Sequence, residues 1–168
     1  MKSFIENPNL EKEKIVTFLN TLLADEYALY TKTRNAHWNI NEPRFYQLHK
    51  FFENQYVVLD AMIDDIAERV RSLGHYAMGS LKEFLRVTHM VEENNDFNNP
   101  KQVIQSLAKD HETIIQIIIN DITPVSAKYK ELGVAEFVDG LMEQHQKMAS
   151  MLKAFLSVPE ISNISDQT

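Results

Sequence analysis

From Leu10 to Trp38 no glycine or proline interrupts the chain, and apolar side chains recur every three or four residues: Ile15, Phe18, Leu19, Leu22, Leu23, Leu29 and Tyr30. That period belongs to an α-helix with one buried face, and a half-buried strand cannot use it. Asn9 stands just before as a candidate N-cap, which predicts a helix from Leu10 to about Trp38. A second helix is predicted from Pro43, suited to a first helical position, to Gly74, suited to a C-terminal cap. Its apolar stripe is Phe45, Leu48, Phe52, Leu59, Ile63, Ile66 and Val70. A connection from His75 to Asn99 follows. Within it Ser80-Leu81-Lys82-Glu83 has the form of a capping box and predicts a short helix from Leu81 to about Val87. Pro100 opens a third long helix, which Pro124 should kink or interrupt near its end. Gly133 precedes a fourth, from Val134 to about Leu156. Four long helices with one long middle connection predict an all-α four-helix bundle with a crossover, carrying a short extra helix between helices 2 and 3.

A chain of 168 residues fits one domain, spanning 1–168, and can bury a core without disulfides. The bundle should occupy about residues 10–156, flanked by short tails at 1–9 and 157–168. There is no cysteine, which excludes thiolate zinc sites, iron–sulfur clusters and thiol nucleophiles. No apolar run approaches a membrane span, and Met1–Leu10 lacks the apolar core of a secretory leader, so a cytoplasmic protein is expected. The formal net charge of -7 disfavours phosphate backbones at long range. A basic tail could reverse that, but the first tail holds Lys2 and Glu6, and the last holds Glu160 and Asp166 with no basic residue.

The second helix carries more than a core stripe. On a helical wheel His49, Glu53, Asp60, Asp64 and Glu68 fall within about 100° of arc, flanking the apolar face. A solvated face is the ordinary reading of such a band. Two features oppose it. The band has almost no compensating Lys or Arg, and Asp60, Asp64 and Glu68 repeat at four-residue spacing, where like charges repel. A bound cation would offset that repulsion. His37, at the end of the first helix, adds a second imidazole, and imidazole with carboxylate suits Fe, Mn or Zn. Distance then restricts the geometry. His49 and Asp64 are separated by roughly 22 Å along one helix, so they cannot share a metal within one subunit. His37 lies near the start of the second helix, while Asp64 and Glu68 lie near its far end. One site using all of them needs two chains with their second helices antiparallel, as a two-fold dimer provides.

The ordered set Asn35-Ala36-His37-Trp38-Asn39, His49 with Phe52-Glu53, and Asp64-Asp65-Ile66-Ala67-Glu68-Arg69 resembles the Dps family, the DNA-binding proteins from starved cells or miniferritins. The likeness covers roughly Leu10 to Leu156. It extends to the short helix after Ser80 and to His145-Gln146-Lys147 and Met151-Leu152-Lys153-Ala154, with Ser150 where many members carry Trp. The resemblance implies a ferritin-like fold assembled as a homo-oligomeric shell, a dodecamer. It also implies di-iron ferroxidase sites between two-fold-related subunits. His37, His49 and Glu53 would come from one chain and Asp64 and Glu68 from the other, with Glu68 able to bridge two irons. His37 would bind the tighter iron, and His49 the looser one or a water. Such sites oxidise Fe(II) preferentially with hydrogen peroxide, dioxygen being the other oxidant, and the ferric mineral is stored in the cavity. This would protect the cell from oxidative damage.

Three alternatives frame that expectation. A protein of the same fold can compact DNA without enzymatic activity, although members that bind DNA generally use Lys-rich tails, so DNA binding is expected to be weak or absent. The same ligands accept Mn or Zn, so the bundle could sequester another divalent metal. No Glu-x-x-His occurs in the chain, which argues against the intrasubunit centre of ferritins proper. Trp38 either packs or intercepts radicals beside the iron. Glu136, Asp139 and Glu143 share one face of the fourth helix and are either pore-lining acids or an ordinary solvated face. His75, His89, His111 and His145 show no partner pattern and read as surface or packing residues.

Overall fold

A computed structural model describes residues 8–41, 45–92, 96–122, 124 and 132–157. Among them the order is α1 (Pro8–Asn39), α2 (Phe45–Ser72), α3 (Leu81–Val87), α4 (Pro100–Ile117), a π-helical turn (Ile118–Ile122) and α5 (Leu132–Ser157). The all-α bundle with a short crossover helix is the fold the periodicity predicts. No described helix is long and apolar enough to cross a membrane.

The local signals explain where the helices stop. Gly74 adopts φ +84, and the bonds His75 N–H to Val70 O (3.3 Å) and Gly74 N–H to Arg71 O (2.9 Å) close α2 as a Schellman motif. A Cβ at Gly74 would meet nothing within 4 Å, so backbone conformation and not space requires glycine there. Ser80 and Glu83 form the expected capping box: Glu83 N–H donates to Ser80 Oγ, and Ser80 N–H donates to Glu83 Oε2. The Ser80 hydroxyl also donates to Glu83 Oε2 (2.6 Å), and that bond foremost, then those from the backbone, lowers the Glu83 pKa. Asn99 caps α4 through Gln102 N–H, with Pro100 at the first position. Two expectations shift. Asn9 lies inside α1, which begins at Pro8 and so does not use it as a cap, and Pro43 falls outside the described residues. The predicted disturbance near Pro124 takes the form of the π-turn at Ile118–Ile122. A proline at 124 has no N–H for the carbonyl of Asn120 and its ring crowds it, and a wider turn relieves that crowding.

α1 packs against α2, α4 against α5, and α1 also touches α3 and α4. The core is continuous through Leu19, Leu22, Phe52, Leu59, Ile114 and Leu152, each fully buried. The crossover is tied along α1 in register. Asn20 Oδ1 accepts from Met78 N–H (2.8 Å), Lys32 Nζ donates to Val91 O (2.9 Å), and Asn41 N–H donates to Phe97 O (3.0 Å). Asn20 to Asn41 spans roughly 31 Å of helix, so the connection carries the chain back along the bundle's length. α4 therefore starts at the same end as α2 and runs parallel to it.

The strongest of these ties is Asp25, fully buried. Its Oδ1 accepts from Thr88 Oγ1 (2.8 Å) and His89 N–H (2.6 Å), and its Oδ2 pairs with His89 Nδ1 (2.9 Å). An Asp25→Asn substitution replaces one acceptor oxygen with an NH2 group, so that a donor faces a donor. It should lower unfolding free energy by about 1–3 kcal/mol. Hydrogen exchange at the amides of residues 88–90 should speed up before that of the α1–α2 core.

Candidate metal centre

His37 lies in the last turn of α1, where carbonyls have no helical N–H to accept. Asn41 N–H, the donor that would have continued the helix, goes to Phe97 O instead. His49 Nδ1 takes its place on His37 O at 2.9 Å, and His37 Nδ1 reaches His49 O at 2.8 Å. The rings stack with centroids 3.7 Å apart and 22° between planes. A carbonyl only accepts, so each Nδ1 must carry hydrogen, and in the neutral ring the basic lone pair sits on Nε2. Backbone donation from one ring nitrogen with the other left as base is how metal-binding histidines are oriented. His37 is buried and His49 half-buried, so the pair is positioned by the fold.

Glu53 stands one turn after His49, half-buried. Its carboxylate binds Lys50 Nζ at 2.7 Å. That hydrogen bond lowers the Glu53 pKa most, with further pull from the charges of Lys50, His37 and His49. The group is therefore an anion beside two imidazoles. His37 and His49 thus stack at one end of α2, with Glu53 one turn further along the helix. Asp64 and Glu68 do not join them; both are exposed toward the other end of the same helix. Glu68 borders a surface groove with Asp65, Arg69, Ser72 and Phe137. Among the described residues no three His, Asp or Glu side chains of one chain converge to hold a metal ion. Glu136, Asp139 and Glu143 lie exposed on α5.

The remaining histidines correct the sequence reading. His89 is the partner of Asp25, and His75 Nδ1 lies 4.0 Å from Glu13 Oε1. His111 and His145 are fully buried inside the bundle and linked through their Nδ1 atoms at 2.9 Å. His145 Nε2 meets Glu26 Oε1 at 2.6 Å. A carboxylate and two imidazoles from three helices thus form one internal chain. The signal was present in the sequence. Glu26 follows Leu22 by four and precedes Leu29 by three; His111 stands so between Leu107 and Ile114, and His145 between Leu141 and Met148. Each occupies a core position of its helix, where a polar group needs a partner.

The model of the ferritin-like domain matches residues 16–160. An uncharacterised low-temperature-induced protein of Nostoc is 36% identical over 146 residues, covering 87% of this chain and 82% of its own. A DNA protection during starvation protein of Porphyromonas gingivalis is 30% identical over 161 residues, covering 92% and 98% respectively. Among solved structures, a Dps protein of Vibrio cholerae, described as one of the ferritin-like diiron-carboxylate proteins, superposes with a TM-score of 0.82. It is 27% identical, over 88% of this chain and 91% of that one.

Burial, and then the neighbouring His145, push the His111 pKa well below its ordinary value. The unfolded side chain takes a proton below about pH 6.5, while folded His111 stays neutral. Stability from this group is intact above that pH and falls as the solution is acidified toward the depressed folded value. His111→Gln, which keeps a polar partner for His145 but does not titrate, should flatten that decline. The difference should approach about 1 kcal/mol per pH unit between roughly pH 6.5 and 5, read by urea denaturation at stepped pH.

Proposed function

This chain belongs to the ferritin-like superfamily and, within it, to the Dps family, and on that premise we propose that it oxidises Fe(II) and stores the ferric product inside a hollow homo-oligomer. The observation that carries the reading is the reciprocal His37–His49 contact, which leaves each Nε2 as the basic atom of a fixed ring beside an ionised Glu53. In the proposed assembly a second copy lies antiparallel along α2 and brings its Asp64 and Glu68 to this half-site. Each two-fold interface then holds two equivalent centres, and a dodecamer is the shell we infer.

The chemistry follows from the donors. Carboxylates stabilise Fe(III) more than Fe(II) and so favour oxidation, while the imidazoles bind the divalent ion. Two Fe(II) held together supply two electrons to one hydrogen peroxide. With two protons, the products are two Fe(III) and two waters, and no hydroxyl radical is released. Peroxide is the preferred oxidant in this reading and dioxygen the slower one. Zn or Mn would occupy the same ligands without turnover. Glu136, Asp139 and Glu143 are the candidates for lining a path by which iron reaches the interior. The cytoplasm, where Fe(II) and peroxide meet, is the proposed setting.

The test is anaerobic addition of peroxide to metal-free protein given a few Fe(II) per subunit, with ferric absorbance followed over time. Wild type should oxidise iron fast, and the Asp64→Ala, Glu68→Ala double variant should be slower by at least about tenfold, the loss of anionic ligands. Equal rates would remove these residues from the centre.

Several relatives are named for DNA protection. Protection here is proposed to be indirect, through removal of iron and peroxide. A net charge of -7 offers little counterion release against DNA. In a gel shift at neutral pH and physiological salt the protein should leave plasmid DNA unretarded. Large complexes under those conditions would support direct binding.

A further inference from the structure

Arg34 stands one helical turn before His37 on α1 and is surrounded by aromatic rings. Its Cζ is 5.0 Å from the centroid of Trp38, 5.0 Å from that of Tyr56 and 5.5 Å from that of Tyr30. Nη1 donates to Tyr30 Oη at 2.6 Å. Nε is buried with no hydrogen-bond acceptor, so the ring faces, together with the charge of Asp60, supply the negative potential around the guanidinium. Tyr56 in turn meets the His37 ring edge-on, with centroids 5.2 Å apart. Trp38 is covalently next to His37 and 60% exposed. Three oxidisable side chains thus crowd the half-site, and one cation touches them all.

A cation over a ring face is attracted to the neutral ring's quadrupole. Removing an electron from the ring before its proton has left makes the ring a cation and replaces that attraction with repulsion between like charges, which raises the barrier to forming the radical. We propose that Arg34 is a positioning residue that keeps Trp38, Tyr56 and Tyr30 from donating electrons, so that both electrons delivered to a peroxide come from iron. The inference rests on the reading of His37 and His49 as half of a ferroxidase centre. The reaction suppressed is defined by its balance. When only one iron is bound, Fe(II) gives one electron and a ring gives the second, losing its indole or phenol proton. With one proton from solvent, peroxide becomes two waters, leaving Fe(III) and a neutral ring radical.

The chain's single tryptophan makes the test specific. Assembled, metal-free protein is exposed to a photogenerated outer-sphere oxidant, tris(bipyridine)ruthenium(III). Loss of Trp38 fluorescence is timed, and oxygenated Trp38 is located by mass spectrometry. Arg34→Gln should lose Trp38 on the order of tenfold faster than wild type, the factor corresponding to about 1.4 kcal/mol. Arg34→Lys, which keeps the charge, should stay near wild type. Arg34→Met is the second neutral variant should Arg34→Gln fail to fold, as judged by circular dichroism. Equal loss in wild type and a folded neutral variant overturns the proposal. A companion measurement supplies about one Fe(II) per subunit and peroxide, and the neutral variant should give more oxidised Trp38 per iron. No excess there overturns the assigned role. Failure of the ferroxidase reading itself would show separately, as equal iron oxidation with and without Asp64 and Glu68.

Discussion

Burial of α1 is the constraint on which the rest of the molecule depends. α2, α3 and α4 all touch it, and the crossover runs along it, so little of its circumference is left to water. A helix covered in this way cannot shed its polar side chains, and each must find a partner inside. Asn20, Asp25, Glu26, Lys32, Thr33 and His37 are all buried. Thr33 bonds back to Leu29 O in its own helix. The other five each reach a different segment: Asn20 the start of the crossover, Asp25 its middle, Glu26 α5, Lys32 both Val91 and Asp110 of α4, and His37 α2. Apolar packing is permissive about rotation and sliding, whereas hydrogen-bonded buried groups are not. These contacts therefore set the register of every other helix on α1.

The same fact explains what could be read in the sequence. Features decided by neighbours in the chain were legible: Gly74 at the end of α2, the Ser80–Glu83 box, Asn99 with Pro100, and the closeness of His37 to His49 across a short loop. Asn9 misled because a good capping residue has no claim when the helix starts one residue earlier, at Pro8. The partners of Asp25, Glu26, Lys32 and His111 were out of reach, because they lie between 34 and 119 positions away, several of them on another helix whose rotation was unknown. Their places in the core register showed that partners were needed, and only the fold shows which.

Stability and proposed function fall on different residues. The interior chain Glu26–His145–His111 is made of metal-ligand chemistry, yet Glu26 Oε1, both His145 nitrogens and His111 Nδ1 are spent on one another, and the chain binds α1 to α4 and α5. The donors assigned to iron lie instead at helix ends and on exposed faces. Asp64 and Glu68 are solvated in the single chain, so they impose no desolvation cost on its folding. His37 and His49 are held by each other, each ring Nδ1 on the other residue's carbonyl oxygen.

This division bears on why the proposed centre would form between subunits. α2 is a single uninterrupted helix from Phe45 to Ser72, and a rod of that kind cannot fold its two ends together. A centre inside one bundle would need carboxylates buried among apolar side chains before iron arrives, where their charges repel and their desolvation weakens the fold. Keeping the imidazoles with Glu53 at one end and the remaining carboxylates at the other postpones that repulsion until two copies meet. In the proposed dimer iron would then neutralise that charge, and assembly rather than folding would bear the electrostatic cost of making the site.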